Sequence, residues 1–300
     1  MEFGHIHEGI DTLNFLLPPD TDRTTRTLTE GKCNGELQIF VGASKWAEKG
    51  WVGKIYPKKT PDNVLLPFYC QNFNAVEFGP TFYNIYSADQ ISKWAKQVRD
   101  TGDFKFCPKF PQTVTHIRRL SNADEPTAKF YQSLTGFGTN LGPLLLQLGD
   151  NFSPKSFPQL KAYLESLPKS IDVSVEVRHK DWFAIESTRN DLFNLLEELN
   201  IGTIISDTSG RRDCVHMELT TNQAIIRFVG NDLAPSDYTR MDEWVKRIQN
   251  WKGMGLEKLW FFMHQNNERH VPDACDYLIK QLNKQLGTNF PGPKLLNENL

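Results

Sequence analysis

Charged and amide side chains stand inside several short apolar runs of this sequence. Glu77 lies in AVEF, Gln147 in LLLQL, Glu176 in DVSVEV and Arg227 in AIIRF. A buried charge is costly unless it is paired or hydrogen-bonded. Two explanations stay open for each residue taken alone: an internal Glu–Arg network that stabilises one layer of the fold, or a ligand site. For the whole set, a ligand site is the better explanation.

Further polar and aromatic residues follow these and similar runs, and we interpret all of them as one site. The predicted catalytic residues are Glu77, Glu176 and Asp207. The predicted substrate-binding residues are Lys45, Trp46, Thr81, Tyr83, Lys109, His116, Arg119, Gln147, Arg178, His179, Trp182, Arg227 and Asn266.

Four of these side chains carry a positive charge that would neutralise an anion. They are Lys109, Arg119, Arg178 and Arg227. Arginine binds phosphate and carboxylate groups through two parallel hydrogen bonds, and lysine binds them as a point charge. The charges therefore predict a small polar or anionic substrate, phosphorylated or sugar-like.

The two glutamates and the aromatic residues indicate what the site would do. Glu77 and Glu176 are candidates for general base and general acid, because burial raises the pKa of a carboxyl and nearby cations lower it. Trp46, Tyr83 and Trp182 offer flat surfaces for a sugar or a base. The predicted function is an enzyme, with hydrolase and isomerase both open. A glycosidase would hold its two carboxyl groups about 5 Å or roughly 6.5–9.5 Å apart.

A divalent metal is the less favoured variant of this site, and the sequence leaves the cofactor otherwise unassigned. Its ligands would be Glu77, Glu176, Asp207 and His264. Such a set of oxygen and nitrogen atoms suits Mg²⁺, Mn²⁺ or Zn²⁺. The chain has no HExxH segment, which weakens the metal hypothesis.

A binding protein without catalysis is the alternative function. The basic stretch His116–Arg119 lies near Lys105 and Lys109 and would form a local patch for nucleic acid. However, the chain has 34 basic and 36 acidic residues, a formal net charge of −2, which does not support a large basic face. A nucleic acid is therefore a less favoured partner than a small ligand.

Eight apolar runs, rich in β-branched or aromatic residues, would position these side chains. The predicted strands are 38–42, 75–78, 104–107, 144–148, 172–177, 203–206, 224–228 and 258–263. They alternate with helical patterns, which is typical of parallel strands joined by crossovers. Eight such units fit an α/β fold of the (β/α)8, TIM-like type, whose usual size is about 250 residues. No glycine-rich phosphate loop follows the first strand, which disfavours a doubly wound sheet. In a barrel, the residues that end the strands meet at one mouth.

The connecting segments show helical spacing of different clarity. The clearest helix follows Ser87, which forms a capping box with Gln90. Similar patterns predict helices near 65–69, 126–134, 158–167, 192–199, 241–248 and 272–282. The sixth connection, 207–222, is predicted to be a loop with at most a short helix.

The chain of 300 residues is divided into an N-terminal arm, residues 1–36, and a single barrel domain, residues 37–300, that ends in a C-terminal tail. The stretch 18–32 is polar, rich in threonine and without a period, so we predict a surface extension there. The composition is that of an ordinary globular protein, with 39% hydrophobic and 23% charged residues.

Cysteine usage and the N-terminus predict a cytoplasmic protein. The five cysteines are Cys33, Cys70, Cys107, Cys214 and Cys275. Their odd number and long spacings, with no CxxC pair, favour separate reduced thiols. The N-terminus lacks the basic start and apolar run of a signal peptide. No apolar stretch approaches the roughly 20 residues that span a bilayer, so no membrane contact is predicted.

Five groups of residues carry a resemblance to a known family. They are Val41–Trp46 with Trp51, Gly53, Tyr56 and Pro57; Tyr69 with Phe73–Glu77 and Thr81–Tyr83; Phe104–Phe106 with Lys109, Thr115, His116, Arg119 and Leu120; Leu141–Leu148; and Val175–His179 with Trp182 and Phe183. Together they make the chain, over about residues 37–282, resemble domain-of-unknown-function family 72, the YecE-like proteins. The resemblance implies a TIM-like barrel and supplies no reaction.

The chain departs from the family pattern at two places. After Arg227 the family often has a histidine before glycine, whereas this chain has Val229 and Gly230. At the eighth strand the family often runs from aromatic residues into two asparagines, whereas here His264 and Gln265 precede them. Either a histidine has moved between the two strands or the local register differs, so no family role is carried over to that position.

Overall fold

Eight parallel strands form the centre of the structure, a computed structural model that describes residues 3–6, 8–31, 35–98 and 101–296. The strands are β1 Gln38–Ala43, β2 Ala75–Phe78, β3 Lys105–Pro108, β4 Leu144–Gln147, β5 Val173–Glu176, β6 Gly202–Asp207, β7 Gln223–Gly230 and β8 Lys258–Gln265. Their order in the sheet is β3-β2-β1-β8-β7-β6-β5-β4. All eight predicted strands are thereby confirmed.

The two edge strands of that order, β3 and β4, approach each other and nearly close the sheet into a barrel. Parallel bridges join Phe106 to Leu141 and Lys109 to Leu145. The N–H of Gly142 donates to the carbonyl oxygen of Phe106 at 2.7 Å, beside the first bridge. Helices flank the strands on the outside, and the predicted TIM-like (β/α)8 fold is confirmed.

Ten α-helices, some of a single turn, are found among the described residues. They are α1 Asp22–Glu30, α2 Leu65–Tyr69, α3 Pro80–Tyr83, α4 Ala88–Val98, α5 Asp124–Leu134, α6 Phe157–Ser166, α7 Asp181–Ala184, α8 Glu186–Glu198, α9 Pro235–Met254 and α10 Val271–Leu286. The capping box before α4 is confirmed, because Ser87 and Gln90 each accept the other's backbone N–H, at 3.0 and 3.2 Å.

The stretch predicted as a surface extension contains helix α1, so that prediction was wrong there. Thr21 caps the helix, and Thr24 and Leu28 are fully buried. The Thr24 hydroxyl donates to the carbonyl oxygen of Met217 at 2.7 Å and accepts the N–H of Leu219 at 2.8 Å. One of the two inward positions is therefore a hydrogen-bonded threonine, and this is why no apolar period shows in the sequence. The boundary at residue 36 stays a prediction.

Helix α1 occupies a place in the outer layer that the sixth unit leaves open. The connection from β6 to β7 contains only a short turn at Arg212–Cys214, which confirms the predicted loop. Arg23 of α1 forms an ion pair with Glu197 of α8, and Asp20, just before α1, accepts from Arg247 of α9 at 2.7 Å. The arm thus bridges the two helices that flank the gap.

Strand alternation divides the barrel interior into an apolar layer and a polar layer above it. The apolar layer contains Phe40, Ala75, Cys107, Leu145, Ile204, Ile225, Trp260 and Phe262. Side chains two residues apart on a strand share a face. The residues two positions further on, toward the carboxyl ends, include Glu77, Lys109, Gln147, Ser206, Arg227 and His264.

The remaining general predictions concern cysteines and membranes. Cys70, Cys107, Cys214 and Cys275 are buried free thiols, and Cys33 lies outside the described residues. Across the described ranges, every helix is too short or too polar to cross a membrane.

Candidate functional site

Arg227 lies at the centre of the polar layer and binds two glutamates. Its Nε and Nη2 donate to the two carboxylate oxygens of Glu77 at 3.0 and 2.9 Å. Its Nη1 donates to Glu176 at 2.5 Å and lies 3.4 Å from Oε1 of Gln147. Glu77, Glu176 and Arg227 are each only 2% exposed. The predicted internal Glu–Arg contacts therefore exist, and they face the barrel interior.

Both carboxylates are ionised at neutral pH. Burial alone would raise the pKa of Glu77, but Arg227, His264 and Lys109 outweigh it and hold that pKa well below its ordinary value. For Glu176 burial is likewise outweighed, by Arg178 and Arg227, and its pKa falls to about 2. Carboxylates held in this way stabilise neighbouring cations, and neither is in the protonated form that a general acid needs.

Lys109 is the member of this network that reaches the mouth. Its ammonium donates to Oε1 of Gln147 at 2.8 Å and lies 3.6 Å from Glu77, and 15% of its side chain is exposed. Burial lowers the pKa of Lys109 to about 8; Glu77 opposes this effect, and the charge of Arg227 adds to it. The amine is thus poised to gain and lose a proton near neutral pH.

Two further residues complete the polar layer. His264 Nε2 lies 3.0 Å from Glu77, and the Ser206 hydroxyl donates to Glu176 at 2.9 Å. His264 was considered only as a metal ligand, and Ser206 was missed. The spacing of Ser206, two residues after the inward-facing Ile204, is the signal that identifies it.

Arg178 lies at the rim, above the buried network. Its Nε donates to Glu176 at 2.8 Å. Arg178, Arg211 and Asp150, together with residues 3–6 of the arm, line a recess of about 570 Å³. Neither Arg211 nor the arm is among the predicted site residues, because both are separated in the chain from the residues that end the strands.

His116 also stands near the mouth, on a π-helical turn at Thr113–Ile117. Its Nδ1 lies 2.8 Å from the Thr115 hydroxyl, and its ring packs edge-to-face on Phe82 at 5.1 Å. Burial lowers the pKa of His116, and the charges of Arg178 and Lys109 lower it further. The imidazole is therefore neutral at neutral pH.

Asp207 belongs to a separate buried cluster. Its Oδ1 accepts from Arg240 at 2.8 Å and from Arg212, and its Oδ2 accepts the indole N–H of Trp244 at 2.7 Å. Burial would raise the pKa of Asp207, but Arg240 and Arg212 hold it below the ordinary value. These contacts join the end of β6 to helix α9, and both carboxylate oxygens of the fully buried Asp207 accept hydrogen bonds from the protein.

Three of the predicted binding residues make internal packing and hydrogen-bond contacts. Trp182 is fully buried, and its indole N–H donates to the carbonyl oxygen of Phe152 at 2.7 Å. Trp46 stacks on Phe78 with ring centroids 5.7 Å apart. Thr81 is buried and its hydroxyl donates to the carbonyl oxygen of Phe78 at 3.0 Å. Their contacts are those of packing residues.

Other predicted binding residues lie further out. Tyr83 is 68% exposed, and Lys45 forms an ion pair with Glu48 at 2.8 Å. The guanidinium of Arg119 donates to the carbonyl oxygen of Asn151 at 2.9 Å.

His179 and Asn266 lie at the ends of β5 and β8. The ring of His179 lies 3.8 Å from Asp181. Among the described residues, the buried side-chain oxygen of Asn266 finds no hydrogen-bond partner.

The four predicted metal ligands do not converge. Glu77 and His264 lie together, Glu176 is across Arg227 from them, and Asp207 belongs to the other cluster. Within the described residues, no group of three or more His, Cys, Asp or Glu side chains is arranged to hold a metal ion.

Comparison with known proteins places the chain among proteins with the same barrel. The sequence model "Protein of unknown function DUF72" matches residues 40–295. The UPF0759 protein YecE of Escherichia coli (strain K12) is 27% identical over 266 residues, which cover 83% of this chain and 94% of that protein.

Two solved structures share the fold. A DUF72 family protein from Enterococcus faecalis V583 has a TM-score of 0.63 at 16% identity, covering 87% of this chain and 98% of that one. A DUF72 family protein from Thermotoga maritima MSB8 has a TM-score of 0.61 at 21% identity, covering 84% of this chain and 100% of that one. Because the family match extends over most of the sequence and the fold agrees with it, the chain belongs to the DUF72 family.

Proposed function

We propose that the barrel mouth is the active site of an enzyme that acts on a small anionic substrate, phosphorylated or sugar-like. The observation that carries this proposal is the environment of Lys109, an amine that is partly exposed at the mouth and held by Gln147 and Glu77. In this proposal Lys109 transfers a proton to and from the substrate, and Arg178 binds its anionic group.

The charges around Lys109 suit an anion. Among the described residues, the ion pairs of this network join three cations, Arg227, Arg178 and Lys109, to two carboxylates, Glu77 and Glu176. The network carries an excess of positive charge while Lys109 is protonated. Its charges are held in place by one another, so they need no rearrangement when a negative charge arrives.

The state of Lys109 suits proton transfer. A proton-transfer group works best when its pKa lies near the working pH, and the pKa of Lys109 is lowered to about 8. Hydrolysis and isomerisation both use such a group. The buried glutamates hold Lys109 and Arg227, which is a role in positioning and electrostatics.

Hydrogen exchange tests this function without knowledge of the product. The protein is incubated in D₂O with a panel of sugar phosphates, and loss of C–H signals is followed by ¹H NMR. We expect exchange with the wild-type protein and with Lys161→Met, a change on the outer helix α6, and none with Lys109→Met. A panel of phosphate monoesters, assayed for released phosphate, tests hydrolysis with the same variants. Turnover that persists in Lys109→Met contradicts the assignment.

A nucleic-acid interface is the second candidate. Tyr83 and Ile117 are both 68% exposed near the basic stretch at the mouth, and single strands bind on exposed aromatic and basic side chains. Fluorescence anisotropy with a labelled single-stranded oligonucleotide, at low and high salt, checks this alternative. Binding that falls steeply with salt and is lost in Tyr83→Ala supports it, and binding without salt dependence contradicts it.

A further inference from the structure

The first described residues of the chain lie across the end of β6, at the mouth. We call residues 3–6 the N-terminal segment. The N–H of Gly210 donates to the carbonyl oxygen of Gly4 at 2.7 Å. The hydroxyl of Thr208 lies within hydrogen-bond distance of the carbonyl oxygens of Phe3 and Gly4, at 3.2 and 3.0 Å. These contacts hold the segment against the loop that follows β6.

Two glycines make this contact sterically feasible. Gly4 has a φ of +67°, and a Cβ atom there would lie 2.5 Å from the side chain of Thr208. A Cβ atom at Gly210 would lie 2.8 Å from the carbonyl oxygen of Gly4 and 2.9 Å from Ile6. Each glycine lets the two backbones approach, and a side chain at either one would push the segment away.

Phe3 places its ring against two guanidinium groups of the recess. The ring centroid is 4.1 Å from Cζ of Arg178 and 5.2 Å from that of Arg211. The Nη2 of Arg211 also donates to the backbone carbonyl oxygen of Arg178 at 2.6 Å, so the Arg211 side chain is held against the backbone of Arg178. An aromatic ring over a guanidinium stabilises it and restricts where its donors point.

The rest of the arm holds the segment in place from behind. The ring of Phe15 lies 5.2 Å from the guanidinium groups of both Arg212 and Arg240. Asp20 accepts from the indole of Trp251 at 3.0 Å, and helix α1 follows with its buried side chains. The arm is therefore fixed along the side of the barrel up to the mouth.

We propose that the N-terminal segment forms one wall of the ligand recess and that Phe3 is a positioning residue that orients Arg178 toward a bound anion. The identity of the ligand as an anion rests on the proposed function. This wall comes from outside residues 40–295, the part that the family model matches. The arm thus adds to the common barrel a surface that contributes to substrate selection.

The test uses full-length protein with three variants. Phe3→Ala removes the ring, Gly210→Ala displaces the segment from the opposite side, and Leu16→Ala, at a residue of the same arm that is 69% exposed, is the matched control. Reaction of Arg178 with phenylglyoxal is followed by peptide mass spectrometry, with the exposed Arg118 as internal reference. Sulfate affinity is measured by calorimetry, and thermal unfolding shows that each variant is folded.

We expect Arg178 to react several-fold faster in Phe3→Ala and Gly210→Ala, and sulfate affinity to fall by about 3- to 10-fold, with Leu16→Ala unchanged. Unchanged labelling of Arg178 in both variants overturns the proposal. Faster labelling with unchanged sulfate affinity, when Lys109→Met does weaken sulfate binding, also overturns it, because Phe3 then covers Arg178 without positioning it. If the wild-type protein binds no sulfate, the anionic substrate fails, and the labelling result alone decides whether the wall exists.

Discussion

Arg227 and its neighbours at the mouth differ in how their charge depends on pH. The glutamates that bind Arg227 stay ionised at neutral pH, whereas Lys109 gains and loses a proton near neutral pH. The two glutamates bind the same guanidinium and stay ionised. Lys109, one step nearer to solvent, has a lowered pKa because burial disfavours its charge. The buried charges thus set the protonation of a group that a ligand is able to reach.

Sulfate binding should depend on the protonation of Lys109. The charged amine attracts the anion, so affinity is highest below the pKa of about 8 and falls as pH rises through it. We expect affinity to fall by up to about tenfold for each pH unit above 8. Calorimetry from about pH 7 to about pH 10 checks this, because sulfate keeps both charges over that range.

Lys109→Arg is the matched control for that measurement. Arginine stays protonated over the whole range, so its sulfate affinity should change little with pH. An equally steep fall in Lys109→Arg would show that another group is responsible.

Glu176→Gln should destabilise the protein. The carboxylate accepts from Arg178, Ser206 and Arg227, and an amide removes one of the two negative partners of the buried Arg227 guanidinium. Removing one member of a buried pair costs about 3–5 kcal/mol. Urea unfolding measures the change. Glu165→Gln, on the exposed face of α6, should alter the free energy of unfolding by less than about 0.5 kcal/mol. Equal stabilities of the two variants would show that the network does not support the fold.

Among the secondary-structure elements, helix α1 of the arm takes the position of the helix that the sixth barrel unit lacks. The sixth unit of the barrel has no helix of its own, and α1 bridges α8 and α9 over that gap. Helices cover the outer faces of barrel strands, which would otherwise be open to water. The arm therefore belongs to the packing of the barrel even though it precedes the residues that the family model matches.

Leu28→Ala should lower the free energy of unfolding by about 2–5 kcal/mol, because Leu28 is fully buried in the core. Leu16→Ala is the control, since it removes the same atoms from an arm residue that is 69% exposed. Urea unfolding compares the two. A loss at Leu28 no larger than the loss at Leu16 would mean that α1 does not contribute to the core.

At the scale of the whole molecule, stability should decline with acid in two stages. The loop between β6 and β7 contains His216, a half-buried residue whose ring stacks on Phe183 and packs on Phe193. Burial lowers the pKa of His216 from 6.5 to about 4. Below pH 6.5 the histidine of the unfolded chain becomes protonated, whereas in the native state it stays neutral down to about pH 4. The free energy of unfolding therefore falls as the pH drops from 6.5 to about 4. Glu176, with its pKa of about 2, adds a loss only below its ordinary value of 4.5.

The variant His216→Gln tests whether His216 causes the first stage of the stability loss. Each pKa unit corresponds to about 1.4 kcal/mol, so the wild-type protein should lose about 2 kcal/mol between pH 6.5 and about pH 5 through this residue. The variant should lack that loss, whatever its stability at neutral pH. Urea unfolding at both pH values measures the difference, and His270→Gln, a change at a partly exposed histidine, should behave as wild type. The same loss in His216→Gln would contradict the assignment.

Much of the barrel was predictable because its information is local. A strand such as β2 shows in a few residues, and the alternation of side chains places Glu77 on the same face as Ala75. Helix α4 was predictable from its capping box, which joins residues three apart. The contact between Glu77 and Arg227 could not be predicted from local patterns. Arg227 lies on β7, a strand that pairs with neither β2 nor its neighbour β3.

The eight strands, their order along the chain and the polar residues that end them follow from the sequence alone, because strand periodicity and turn chemistry act over a few neighbouring residues. The folded structure is needed to see which charges meet, that Asp207 binds Trp244, that α1 fills the open place beside β6, and that Phe3 lies over Arg178. Those contacts join residues far apart in the chain. Packing and electrostatics between the elements decide these long-range contacts, so a pattern of a few neighbouring residues does not predict them.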